Sequence, residues 1–318
     1  MRERKRAWQR LEHLLGRLDR SSLRRLHREE VRELGRIYRR TASDLAIARA
    51  ESRDPRLVNY LNSLVIRAHG RIYRADAQGG RRLREFFTRS FPQTFRRTWR
   101  YTAIAFVTFA VLAVVAYFGT WRDAEFSEFA GIDPVFRYVI NQKVHWWERL
   151  NEFNQVGSSF IMVNNIWVMF QAFALGALFG LGTLYAMAFN GAMVGAVLAL
   201  TSRAGFGFDL LSFMIGHGVV ELSCIFLAGG AGLLIGSAIL LPGDLSRGDA
   251  LKTRGLEAVR LIAGCVPLLI VAGIIEGFIS PAPINPAIKF GIGITTGLAL
   301  YSYLILAGRG KEEIEATS

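Results

Sequence analysis

Between residues 99 and 307 the sequence returns six times to an apolar stretch of spanning length, at about 99–119, 158–181, 184–202, 210–240, 256–279 and 286–307. In hydrocarbon every backbone N–H and C=O must be satisfied within the chain, so only α-helices or a closed β-barrel can cross. Runs of about twenty residues without strict alternation select the helix. The sequence therefore specifies an all-α fold, a polytopic membrane protein of about six transmembrane helices preceded by a soluble helical domain. The fourth stretch is long enough to tilt or protrude. The run "GLGTLYAMAFNG" leaves open whether the second and third stretches are two helices or one broken element.

The chain before the first stretch is of another kind. Residues 1–100 carry 27 Lys+Arg against 11 Asp+Glu, a net charge of +16, in a chain of +13 overall. The arginines alternate with acidic residues along amphipathic patterns, and no recognition motif accompanies them. Beside a membrane domain such charge implies contact with anionic lipid headgroups and retention on the cytoplasmic side, with no nucleic acid as partner. Trp8, Leu11, Leu14, Leu15 and Leu18 recur at helical spacing; "DRSSL" breaks the pattern with Ser21 or Ser22 as cap. A second helix is expected from about Leu23 to Ala50, and Asp54-Pro55 opens a third that buries Leu57, Leu61, Leu64, Val65, Ala68 and Ile72. Domains are thus expected at 1–80 (cytoplasmic helices), 81–100 (a basic interfacial helix), 101–308 (the membrane bundle, with an outer amphipathic segment at 120–157) and 309–318 (a cytoplasmic tail). In the interfacial helix Phe86, Phe87, Phe91, Phe95 and Trp99 alternate with arginines, as in helices that lie flat on a bilayer.

Orientation follows from the basic loops. An arginine-rich cytoplasmic N-terminus and six spans return the C-terminus to the same side, with Arg247, Lys252 and Arg254 also cytoplasmic. Between helices in lipid, small residues at close spacing mark contact faces. Ala172, Gly176 and Gly180 do so in the second span, Gly191, Gly195 and Ala199 in the third, and Gly229, Gly232 and Gly236 in the fourth. Such faces also allow a homodimer. Cys224 and Cys265, both inside apolar stretches, read as small core residues.

Two ionisable residues interrupt the fourth stretch. His217 and Glu221, four apart, share one helical face about 10 and 15 Å below the expected outer surface. A charge at such depth costs roughly 2.5–3.5 kcal/mol on lenient scales, so partners are expected. Asn164 and Asn165 of the second span and Glu276 of the fifth fall in the same outer half; Asn190 is a separate polar position. The inferred cluster is Asn164, Asn165, His217, Glu221 and Glu276. It admits three readings: a clasp fixing helix register, an ion path or a cavity for a polar headgroup, or a metal-dependent hydrolase. "HGVVE" offers a single imidazole, and no metal or other cofactor is expected.

Several stretches in order carry a resemblance: "YRRTASDLAIAR", "LNSLVIRAHGRIY", the Asn pair opening a span, "GLGTLYAMAFNGAMVGA", "GHGVVELSCIFLAGGAGLLIG" and "IIEGFIS". The chain resembles the stage II sporulation protein M family, most specifically at His217, Gly218, Glu221, Gly229 and Gly232, with Asn190-Gly191 adding to it. The resemblance implies a polytopic protein of the cytoplasmic membrane; the family's namesake acts with peptidoglycan-degrading partners that remodel the wall during engulfment. The first functional expectation is therefore a non-enzymatic envelope protein that scaffolds or localises partners. The alternatives are a channel, transporter or lipid-handling protein using the Asn/His/Glu cavity, and an intramembrane hydrolase.

Overall fold

The computed structural model of the chain describes residues 2–19, 28–51, 54–147 and 154–309, and all regular structure among them is helical. The expected helix start at Leu23, the Ser21 or Ser22 cap and residues 310–318 of the tail lie outside the described residues. The chain divides into two compact units, Met1–Phe86 and Phe87–Ser318.

The first unit contains α1 (Arg2–Asp19), α2 (Arg28–Glu51) and α3 (Pro55–Glu85). Asp54 caps α3 by accepting from the Arg56 N–H at 2.9 Å, with Pro55 at the first helical position. Leu11, Leu14, Leu15, Leu34, Ile37, Leu64 and Ala68 form its core. The Trp8 indole donates to the buried Asp44 carboxylate at 2.8 Å. Arg10 bonds both oxygens of Glu33, at 3.2 and 2.9 Å, and holds that carboxyl below its usual range. Arg17 bonds Glu30 at 2.5 Å. Part of the basic surplus is thus paired inside the unit.

The second unit contains α4 (Phe91–Arg122), α5 (Pro134–Asn141), α6 (Asn154–Ala174), α7 (Leu181–Arg203), α8 (Gly207–Leu240), α9 (Arg247–Phe278) and α10 (Pro286–Leu306). Short 3-10 turns occupy Ala124–Glu128 and Leu175–Ala177. Among the described residues five helices are long and apolar enough to span a membrane: Gly79–Arg122, Leu181–Arg203, Gly207–Leu240, Arg247–Phe278 and Pro286–Leu306. Within the second expected stretch, the described residues of α6 and the turn after it give the apolar run Met162–Ala177. Its end is set by backbone: Phe179 (φ 56°) and Gly180 (φ 80°) are both left-handed, which is rare for an aromatic residue and stops the helix. Thr183 Oγ1 bridges the break by donating to the Ala172 carbonyl at 2.7 Å. The chain turns between two helices at Leu175–Gly180, and the ambiguous run, from Leu181 on, is the first half of α7.

α8 is the axis of this unit and packs on α4, α6, α7, α9 and α10. Its apolar window is 78% buried, whereas that of the first span, equally apolar, is 22% buried. Apolarity in the first span serves the surroundings rather than a core. Phe106, Val111, Val115 and Phe118 of α4, Ile270 and Ile274 of α9 and Leu298 of α10 all point outward. So broad an apolar exterior is untenable in water and ordinary in lipid.

Close backbone approach sets the crossings. A Cβ on Gly191 or Gly195 would run into the Phe109 or Ala113 carbonyl of α4. One on Gly176 would strike Gly232, one on Gly236 would strike Gly180, and one on Gly229 would lie 2.9 Å from both Ala105 and Met187. Cys224 and Cys265 are free, buried and adjacent, each sulfur 3.8–3.9 Å from the other's carbonyl.

The aromatic row differs from expectation. Phe86–Ser90 is a π-helical segment, and α4 then begins at Phe91 with no separate surface helix. Phe86 and Phe87 are half-buried, and Phe91 and Phe95 are only 1% and 9% exposed. The Phe91 ring fills the space over Gly264 beside Tyr303. Phe91, Phe95, Thr98 and Thr102 form the buried stripe of α4 at helical spacing, so the two phenylalanines serve the bundle and Trp99 alone of the five is exposed.

Four helix ends in this unit are closed by a cation from elsewhere in it. Arg203 donates to the Thr120 and Trp121 carbonyls of α4. Arg254 reaches the Leu241 carbonyl after α8 at 3.0 Å, and Lys289 the Ser280 carbonyl after α9 at 2.6 Å. Arg96 takes the Leu304, Ile305 and Ala307 carbonyls at 3.1, 3.3 and 2.7 Å. Unsatisfied terminal carbonyls and the negative dipole end both favour this placement.

Candidate functional site

The polar residues of α8 sit on its most buried part: His217 and Glu221 are each 4% exposed. Across the contact with α6, the Asn165 amide donates to Glu221 Oε2 at 2.5 Å. Asn164, one position earlier, is rotated by about 100° and is exposed, so the structure leaves it out of the cluster. His217 Nδ1 lies 2.7 Å from the Ser280 hydroxyl, just beyond α9. Glu276 is 1% exposed, within electrostatic range of Glu221, and neither of its oxygens has a hydrogen-bond partner in the described structure. Glu221 Oε1 is likewise unpartnered. Asn190 is separate, donating to the Ala186 carbonyl of its own helix at 2.8 Å.

Asn165, His217 and Glu221 border a partly open cavity of about 540 Å³. One wall is the α8 stripe from Leu210 through Phe213, Met214, His217, Gly218, Glu221 and Leu222 to Ile225; another is Met193, Val194, Val197 and Leu198 of α7. Asn165 contributes from α6, and Ile132, Asp133, Phe136, Trp146 and Trp147 from the segment after α4, which forms a cap. Gly218 keeps the cavity wide beside Glu221, since a Cβ there would meet nothing within 4 Å. The cap is well fixed. Asp133 caps α5 by accepting from the Val135 N–H at 2.6 Å, and Arg137 bonds Glu128 at 2.9 Å. Rings continue from cap to site: Phe136–Trp146 at 5.0 Å, Trp146–Trp147 at 4.7 Å, Trp147–Phe213 at 6.1 Å and Phe213–His217 at 5.5 Å.

Asn165, His217 and Glu221 thus share one apolar cavity, Glu276 stands near Glu221, and Asn164 and Asn190 lie apart. Ser280 and Asp133 are not singled out by the sequence, while Trp146 and Trp147 stand out only as aromatics of the outer segment. Ser280 ends the quoted "IIEGFIS", where a hydroxyl at a span terminus was a usable signal. Among the described residues no group of three or more His, Cys, Asp or Glu is placed to hold a metal ion.

The profile of the family described as stage II sporulation protein M matches residues 105–281, more than half of the chain. The chain belongs to that family. The match takes in α4 from Ala105, the cap and α6 to α9, and so contains every residue of the site named above. It stops before α10 and Lys289. Residues 1–74 match a second family, described as a domain of unknown function, so the N-terminal motifs belong to a separate likeness. No curated protein and no solved structure is significantly similar to the chain.

Proposed function

We propose that this family member is a lipid-handling protein of the bacterial cytoplasmic membrane, which takes an amphipathic molecule into the cavity with its polar end toward Asn165, His217 and Glu221. The cavity carries the reading: 540 Å³ lies within the roughly 300–1,000 Å³ of ligand pockets, and a few convergent polar groups in apolar walls are what such pockets share. Volume suits a headgroup and the start of a chain, the rest lying in the bilayer. Arg96, Arg97, Arg247, Lys252 and Arg254 gather where α4 and α9 begin and α8 and α10 end. The positive-inside tendency makes that end cytoplasmic, along with both termini, and turns the cap outward.

Native mass spectrometry of protein ejected from lipid nanodiscs tests this. The wild type should retain about one lipid per protomer, and Val197→Trp, which fills the cavity from α7, should lose it. Equal retention by both would overturn the reading. A scaffold that docks envelope partners keeps one supporting observation, since Phe129, Val135 and Tyr138 of the cap are 86%, 71% and 63% exposed. In that case replacing Phe129 and Val135 by Ser would abolish function in cells with lipid retention intact.

A further inference from the structure

We propose that the cavity selects lipids whose headgroup carries an ammonium over lipids with an anionic head. The inference rests on the reading that an amphiphile enters the cavity, and it assigns that amphiphile a chemical class.

The first observation is an orphaned acceptor. Glu221 is 96% buried and borders the cavity, yet only Oε2 has a donor; Oε1 has none. A buried acceptor without a partner is destabilising, and an N–H donor on the ligand would supply what is missing. The second is the charge inventory. The described lining residues include two carboxylates, Asp133 and Glu221, and no lysine or arginine. Nearby cations are engaged elsewhere: Arg137 with Glu128 and the Ala124 carbonyl, Lys289 with the Ser280 carbonyl behind His217. An anionic head would meet two carboxyl groups and, among the described lining residues, no lysine or arginine to neutralise it. Glu276, whose oxygens also lack donors, stands within electrostatic range of Glu221.

The third observation is the wall itself. Phe136, Trp146, Trp147 and Phe213 border the same space as Glu221 and are ring-packed against one another. Aromatic faces attract ammonium groups, most strongly where water is excluded. The orphaned carboxyl oxygen, the aromatic wall and a described lining without lysine or arginine all favour one kind of head.

The test uses the full-length protein in nanodiscs holding equal amounts of phosphatidylethanolamine and phosphatidylglycerol with identical chains, read by native mass spectrometry. The wild type should retain the ethanolamine lipid over the glycerol lipid by about tenfold, the factor supplied by one hydrogen bond to a charged group. Glu221→Gln, which keeps shape and an oxygen for Asn165, should bring the ratio within about twofold. Asp133→Asn, at an exposed position where Asn still caps α5, should shift it the same way and guards against a folding defect in the first variant. Lipid retained without headgroup preference, or with the glycerol lipid preferred, overturns the inference and leaves the lipid-handling reading standing. An unchanged ratio in both variants also overturns it. No lipid above the Val197→Trp background removes both.

Discussion

Asn165→Leu isolates the contact on which the site is built. It removes the amide that donates to Glu221 Oε2 at 2.5 Å and leaves a buried carboxyl with both oxygens unpartnered. Two magnitudes compete. Orphaning a buried acceptor in a water-soluble core costs about 1–3 kcal/mol. Interhelical hydrogen bonds in membrane proteins average only about 0.6 kcal/mol, with a maximum near 1.7, because the unfolded chain in lipid finds other partners. Extra apolar surface on Leu offsets little, since lipid tails are as apolar as Leu and residue 165 is only half-buried. A carboxyl is a stronger acceptor than the average group, which places the expected loss near the top of the membrane range, at about 1.5 kcal/mol. Combining Asn165→Leu with Glu221→Leu removes both halves, so the double variant should lie about 1 kcal/mol above the sum of the singles. Reversible unfolding in mixed detergent micelles, followed by helicity, measures all four corners of the cycle. A coupling below about 0.3 kcal/mol, the scatter of independent sites, would refute the claim that this bond ties α6 to α8.

Two glycines on helices that border the cavity should respond in opposite ways. Gly195→Val places a side chain against the Ala113 carbonyl of α4 and should destabilise by about 1–3 kcal/mol, whereas Gly218→Ala enters open space and should stabilise by roughly 0.5–1 kcal/mol in the same unfolding assay. In the first unit, Glu33 has its carboxyl lowered by Arg10, so its contribution is present above the ordinary carboxylate range and fades as pH falls through the lowered value. The pair is surface-exposed, which limits the effect to a few tenths of a kcal/mol; Glu33→Gln should flatten the acid limb of stability against pH by that amount.

Membrane spans were legible because mean apolarity over twenty residues is a sum that no single neighbour can overturn. Helix phase is not such a sum. Asn164 and Asn165 are equivalent in the string of residues, and only the rotation of α6 against α8 decides that Asn165 meets Glu221. Phe91 and Phe95 failed for the same reason: alternation with arginine suggested a surface stripe, but Gly264 on α9 opens a place for the Phe91 ring. The spacing of Gly191 and Gly195 announced a close crossing without naming α4 as the partner. The end of α6 was hidden because a left-handed Phe179 is imposed by its tertiary setting and contradicts its own preference. The cavity was beyond reach from sequence, since its walls come from a cap and three helices whose order around α8 no local pattern encodes.

The cations that close the helix ends also set a schedule for assembly. Arg203 lies 83 residues after the Thr120 carbonyl it takes, and Arg254 and Lys289 also follow the ends they serve. A ribosome delivering the chain from its N-terminus therefore leaves each of these three ends open until later sequence has emerged. α10 is the reverse: its acceptor carbonyls appear last, 208 to 211 residues after Arg96, which has waited at the start of α4. α4 and α10 are thus joined by one guanidinium, and a chain cut short before α10 would leave that charge with none of the three carbonyls that receive it.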